Sequence, residues 1–161
     1  MRIVKYSLGA LFVLYFQLLI ASNLSIMGIV PFFLLPFVVF ISMNLKLIES
    51  STITFILALA NDLYTPHLLG INVFILLIIC FLVTKYHASV NKDKFGPVAI
   101  SLLLINLLYL LPLLPVKAEL YGYETKLLRD FFIGIVYNSI ITFLAIMIFN
   151  VIQKLRVVID V

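Results

Sequence analysis

Tryptophan is absent from the 161 residues, cysteine occurs once, histidine twice, and charged residues make up only 11% of the chain. Each shortage removes a class of function. Cys80 is the single cysteine, so it forms no internal disulfide; it lies in an apolar run without a basic neighbour to stabilise a thiolate, and reads as packing. His67 and His87 fall in separate predicted loops and cannot supply a ligand cluster such as H-E-x-x-H, so no metal site is expected. Of the seven acidic residues only Asp62 falls at or near a hydrophobic segment, which leaves no second carboxylate to share a proton in aspartyl catalysis. No serine has a nucleophile elbow or a base within reach. The sequence therefore predicts no catalytic residues, no cofactor and no enzyme, and an intramembrane hydrolase is the weakest of three function classes.

What the chain has instead is apolar length. Hydrophobic residues account for 65% of it, and the mean hydropathy is +1.26, far above a soluble domain. A helix needs about 20 apolar residues to cross a bilayer, and the chain divides into such pieces with no stretch left for a soluble domain. We expect an all-α integral membrane protein made of one transmembrane domain, 1–161, with six spans at about 6–22, 26–43, 50–64, 68–84, 95–114 and 131–152. Pro31 and Pro36 in the second predict a kink or a late start. The third is the weakest, because only "ITFILALA" precedes Asn61 and Asp62. The N-terminus "MRIVKYSLGALFVLYFQLLIASNLS" resembles a signal peptide, but its apolar stretch is long for one and an uncleaved first span is the simpler reading.

A net charge of +4 would suggest nucleic acid as a partner of a soluble protein; here the basic residues sit in short loops, where they orient spans. Arg2, Lys5, Lys46, Lys85, Lys92, Lys94, Lys154 and Arg156 fall on one side, and Lys117, Lys126 and Arg129 on the other, accompanied by Glu119, Glu124 and Asp130. Both termini are therefore expected in the cytoplasm, with residues 115–130 as the longest external segment and Tyr121 and Tyr123 at the interface.

Two helical faces stand out. Gly134, Asn138, Thr142 and Ala145 fall within an arc of about 80° at 100° per residue, a small and polar stripe suited to close helix contact, either inside the domain or with another chain. Thr54, Ala58 and Asp62 repeat the four-residue spacing in the third span. In "ALANDLYTPHLLGINVF" the carboxylate comes after too few apolar residues to have crossed fully, while Pro66 and Gly70 mark the turn into the fourth span. Asp62 is thus expected near the outer interface, where it could accept bonds from backbone amides at the start of that helix. A structural cap and a partner or ligand contact are both open readings.

The segment "FILALANDLYTPHLLGINVFILLIICFL", residues 55–82, resembles the most recognisable stretch of the rod shape-determining protein MreD family: a helix, an aspartate, a short turn, then Leu-Gly, a polar residue and a long apolar helix. Asp62, Leu69, Gly70 and Asn72 occupy that pattern, Asn61 accompanies it, and Pro31 in "VPFFLLPFVVFISMN" is similar to the proline of the family's second span. Ala58 and Ala60 stand where the family usually has glycines. The resemblance implies a non-catalytic inner-membrane scaffold of the cell-elongation machinery, supporting peptidoglycan synthesis and cell shape. Its implied partners are MreC, RodA and penicillin-binding protein 2, with MreB on the cytoplasmic side and no nucleic acid. It also implies a fold resembling the substrate-binding subunits of energy-coupling-factor transporters. That likeness supplies the alternative, a vitamin-type binding subunit, for which the external ends offer mainly Asn23, Asn61, Asp62, Tyr64 and Asn72.

Overall fold

A computed structural model describes residues 2–66, 69–87, 95–122 and 125–159. His67, Lys92, Lys94, Tyr123 and Glu124, and the side chains of Tyr121, Lys154 and Arg156, lie outside the described residues. Among the described residues six α-helices follow one another: α1 (Arg2–Leu19), α2 (Leu34–Asn44), α3 (Leu47–Tyr64), α4 (Ile71–Tyr86), α5 (Phe95–Tyr121) and α6 (Thr125–Ile159), with a 3-10 turn at Ala21–Leu24. Two of them contain stretches long and apolar enough to cross a membrane, Pro97–Glu119 in α5 and Lys126–Phe149 in α6. Ile3–Leu19, Leu34–Asn44 and Ile71–Tyr86 are shorter apolar helices.

The centre of the bundle is α2. It is apolar all round, and Leu34 to Ser42, nine of its 11 residues, are buried, as expected of a helix enclosed by protein on every side. It packs against α1, α3, α4 and α6. Gly9 of α1 permits one of these approaches, since a Cβ there would come within 3.3 Å of the Phe37 ring. The outward face of α1, with Leu8, Leu11, Phe12, Tyr15 and Leu19, remains exposed.

The helix bounds correct the sequence reading in two places. The second predicted span begins at 26, whereas α2 starts only at Leu34 and, at 1.5 Å per residue, is about 16 Å long, half a bilayer core. The missing length is a tight turn, with Met27 and Gly28 at positive φ between paired Ile26 and Ile29, followed by a non-helical approach through buried Pro31. Pro36 falls in the first turn of α2, where its missing N–H breaks no helical bond. Second, the segment 115–130, read as an external loop, is helical over 115–121 and 125–130. Helix α5 continues through Pro112 and Pro115 to Tyr121, and stops at Gly122, whose φ of 84° and N–H donated to the Ala118 carbonyl make a glycine C-terminal cap.

Burial contributes less in lipid than in water, because acyl chains are as apolar as Leu34 or Ile41; packing and hydrogen bonds must then specify the bundle. The bonds are where the polar residues of the sequence come together.

Candidate functional site

Helix α4 begins at Gly70 with φ of 86° and no side chain to cap its first turn. Its free amides are met from α3 instead. One oxygen of Asp62, Oδ2, accepts from the Gly70 N–H at 2.8 Å and the Val73 N–H at 3.3 Å, while Oδ1 accepts from Asn72 Nδ2 at 2.8 Å. Asp62 is 0% exposed. The carboxylate therefore does what an N-cap side chain ordinarily does for the third amide of a helix, but from eight residues upstream and on another helix. The positive end of the α4 dipole also favours it.

The direction of the next bonds follows. With donors aimed at both its oxygens, Asp62 can only accept, so Asn72 must turn its NH2 toward it and its oxygen away. That oxygen accepts from the Tyr109 hydroxyl of α5 at 3.1 Å. The Tyr109 ring stacks on Phe32 at 4.6 Å between centroids and 8° between planes, and the Phe32 N–H donates to Asn138 Oδ1 of α6 at 2.9 Å. The non-helical approach to α2 is clamped from its other side by Gln17 of α1, whose Oε1 accepts from the Phe33 N–H at 2.6 Å and whose Nε2 donates to the Pro31 carbonyl at 3.2 Å. Non-helical backbone buried inside a bundle must find partners within the protein; Gln17 and Asn138 are those partners.

The α3 stripe faces inward. Thr54, Ala58 and Asp62 are 0% exposed and Asn61 is buried. Thr54 Oγ1 has no partner, so Thr54 serves as a packing group. One turn lower, Ser50 and Cys80 join α3 to α4 at 3.3 Å, and Cys80 is buried. The α6 stripe faces inward too: Asn138 and Thr142 are buried, and Thr142 Oγ1 accepts from Asn106 Nδ2 of α5 at 3.3 Å. Ala145 is half-buried. Gly134 is not required for close contact, since a Cβ there would meet Leu110 at an ordinary 3.7 Å; its missing side chain leaves space.

That space belongs to a cavity of about 620 Å³, open at the end of the bundle where α2, α4 and α6 begin. Gly28, Phe32, Tyr109, Gly134 and Asn138 line it, together with Lys117, Lys126 and Asp130. Of the polar groups expected at a vitamin site, Asp62 and Asn72 are bonded to each other, while Asn23 and Tyr64 are exposed.

Three contributors were not singled out from sequence: Gln17, Asn106 and Tyr109. The signal was present for two of them, a carboxamide inside "LYFQLLI" and another inside "LLINLLY"; Tyr109 differs from its neighbours only by a hydroxyl. His87 lies at the far end of α4, with Nδ1 3.1 Å from the Val83 carbonyl oxygen. Among the described residues no three of His, Cys, Asp and Glu come together.

Gly70 is the most exacting position of the cap. Gly70→Ala meets no atom within 4 Å, yet must hold φ of 86°, which costs an L-residue about 1 to 2 kcal/mol. Thermal unfolding of the purified variant should show that loss, and an unchanged transition would contradict the left-handed assignment.

An all-helical bundle with two membrane-length apolar helices, and a buried acid used to cap the shorter helix α4, defines a membrane protein whose central polar residues are bonded within its own architecture. The family model for the rod shape-determining protein MreD matches residues 2–155, and the chain belongs to that family, with the role in rod-shape determination that membership carries. No curated protein and no solved structure gives a match.

Proposed function

We propose that this chain is a non-catalytic scaffold of the cell-elongation complex, residues 1–161 forming one six-span domain of the inner membrane with both termini in the cytoplasm. On this reading it binds MreC and supports peptidoglycan synthesis by RodA and penicillin-binding protein 2, with MreB on the cytoplasmic side. The observation that carries it is the commitment of Asp62, Asn72, Tyr109, Asn138 and Gln17 to bonds within the chain. These groups fix how five helices and the approach to α2 fit together, which is what a docking platform requires. On the same reading its fold is like that of energy-coupling-factor substrate-binding subunits. Purification in mild detergent, with identification of what accompanies the protein, tests the reading: MreC should co-purify, and its absence under conditions that restore rod shape to a strain lacking the native protein would contradict it.

Topology follows from the charges. A cysteine at Lys92 should be labelled only from the cytoplasm, and one at Tyr121 only from outside. Buried Cys80 should stay silent to aqueous thiol reagents, so no background substitution is needed. Labelling of both sites from one side would exclude six spans.

A cavity favours the second reading, a small-molecule binding subunit. Its walls are mainly apolar, and its polar side chains, among them Tyr109, Lys117, Lys126, Asp130 and Asn138, come almost entirely from α5 and α6; a polar vitamin usually requires several convergent side chains from more of the helices. The scaffold is the better account.

A further inference from the structure

The cavity beside Tyr109 and Asn138 has a chemistry that the scaffold reading does not use. Its volume of about 620 Å³ is in the range of ligand sites, about 300 to 1,000 Å³. Leu110, Leu113, Leu127 and Phe131 make its walls apolar. Apart from Asp130, its polar groups carry donors. Asn138 is 4% exposed; its Oδ1 is taken by the Phe32 N–H, and among the described residues its Nδ2 has no acceptor. Lys117 and Lys126 stand in the lining, and neither forms an ion pair among the described residues. The one carboxylate there, Asp130, is already engaged: its Oδ1 accepts from Arg129 Nε at 3.2 Å and Nη2 at 3.1 Å. An apolar wall with two ammonium groups against one carboxylate that is already bonded to Arg129, and a buried amide donor, fits an acceptor-rich anionic head joined to a hydrocarbon chain.

We propose that this cavity holds one anionic phospholipid. Its phosphate lies between Lys117 and Lys126, an ester oxygen reaches Asn138 Nδ2, and the first part of an acyl chain fills the space that Gly134 leaves against Leu110 and Leu113. The cavity holds a head and the start of a chain, and the remaining hydrocarbon extends into the bilayer. This inference depends on the membrane setting and is independent of whether MreC binds.

The test is native mass spectrometry and thermal unfolding of the delipidated full chain, with phosphatidylglycerol, phosphatidylcholine or inorganic phosphate added separately. Phosphatidylglycerol should bind one to one and raise Tm, phosphatidylcholine should bind about tenfold more weakly or worse, and phosphate alone should leave Tm unchanged. The pair Lys117→Ala and Lys126→Ala, both at exposed positions, should lower phosphatidylglycerol affinity about tenfold or more without changing the lipid-free Tm. Gly134→Leu keeps both charges and fills the cavity, and should abolish the one-to-one complex. Equal retention of the two lipids, or unchanged binding in both sets of variants, would show ordinary surrounding lipid and overturn the proposal. Saturable stabilisation by phosphate alone would overturn it in favour of a free-anion site, and a polypeptide segment displacing phosphatidylglycerol from the wild-type protein would overturn it in favour of a partner groove.

Discussion

Asp62→Ala should destabilise the bundle by about 3 to 5 kcal/mol, because it strips three donors of their acceptor at a position with no access to water. The Gly70 and Val73 amides and Asn72 Nδ2 all lose their partner at once. Asp62→Leu should be no better. The effect has an address: hydrogen exchange should accelerate in the first turn of α4 before it changes in α2. Asp62→Asn should behave differently. Its oxygen can still accept from the two amides, and its NH2 can donate to Asn72 if that amide reverses and donates in turn to the Tyr109 oxygen. A hydroxyl can accept as well as donate, so the rearranged chain of bonds closes at a cost of about 1 kcal/mol or less. Tyr109→Phe removes that freedom, and in the Asp62→Asn background it should cost more than in the wild type. A pair of variants whose effects simply add would contradict the connection through Asn72. Thermal stability of the four purified proteins measures it.

The second large effect concerns the backbone before α2. Gln17→Leu leaves the Phe33 N–H and the Pro31 carbonyl without partners, and should cost about 2 to 4 kcal/mol. Asn138→Leu frees the Phe32 N–H alone and should cost about 1 to 3 kcal/mol. Both changes raise hydropathy, so insertion should be intact. Tyr15→Leu, on the exposed face of α1 two residues from Gln17, is the control and should change stability by no more than about 0.5 kcal/mol. Losses of similar size at 15 and 17 would mean that α1 packs through a different face.

These effects mark where the sequence was readable and where it was not. Apolar runs located all six helices, since hydropathy and length are local properties. The capping role of Asp62 was accessible from the same local stretch: an acid, a turn and a left-handed glycine lie within eight residues. The start of α2 was harder. Two prolines signalled a disturbance, but Pro36 is harmless in a first turn, and it was the positive-φ pair Met27 and Gly28 that kept eight residues out of the helix. In α5 the opposite happened, since Pro112 and Pro115 did not end a helix whose neighbours hold it in place. The α6 stripe was visible as a periodic face, but its target was not. No spacing rule connects Asn138 to the amide of Phe32, 106 residues away, or Gln17 to a clamp on Pro31 and Phe33. Such pairings are set by the bundle as a whole.

The family assignment gives the chain its role in rod shape, and the geometry suggests how the one buried acid among the described residues serves that role: by holding α4 against α3, with its charge turned inward and unavailable to a partner. Asp62→Asn separates the charge from the cap. The decisive measurement is rod-shape rescue by this variant in a strain lacking the native protein, scored with its MreC recovery from detergent. A structural Asp62 predicts rods and MreC recovery close to wild type; a protein that folds with native stability yet yields rounded cells and no MreC would show that the charge itself acts on a partner, and would contradict the account.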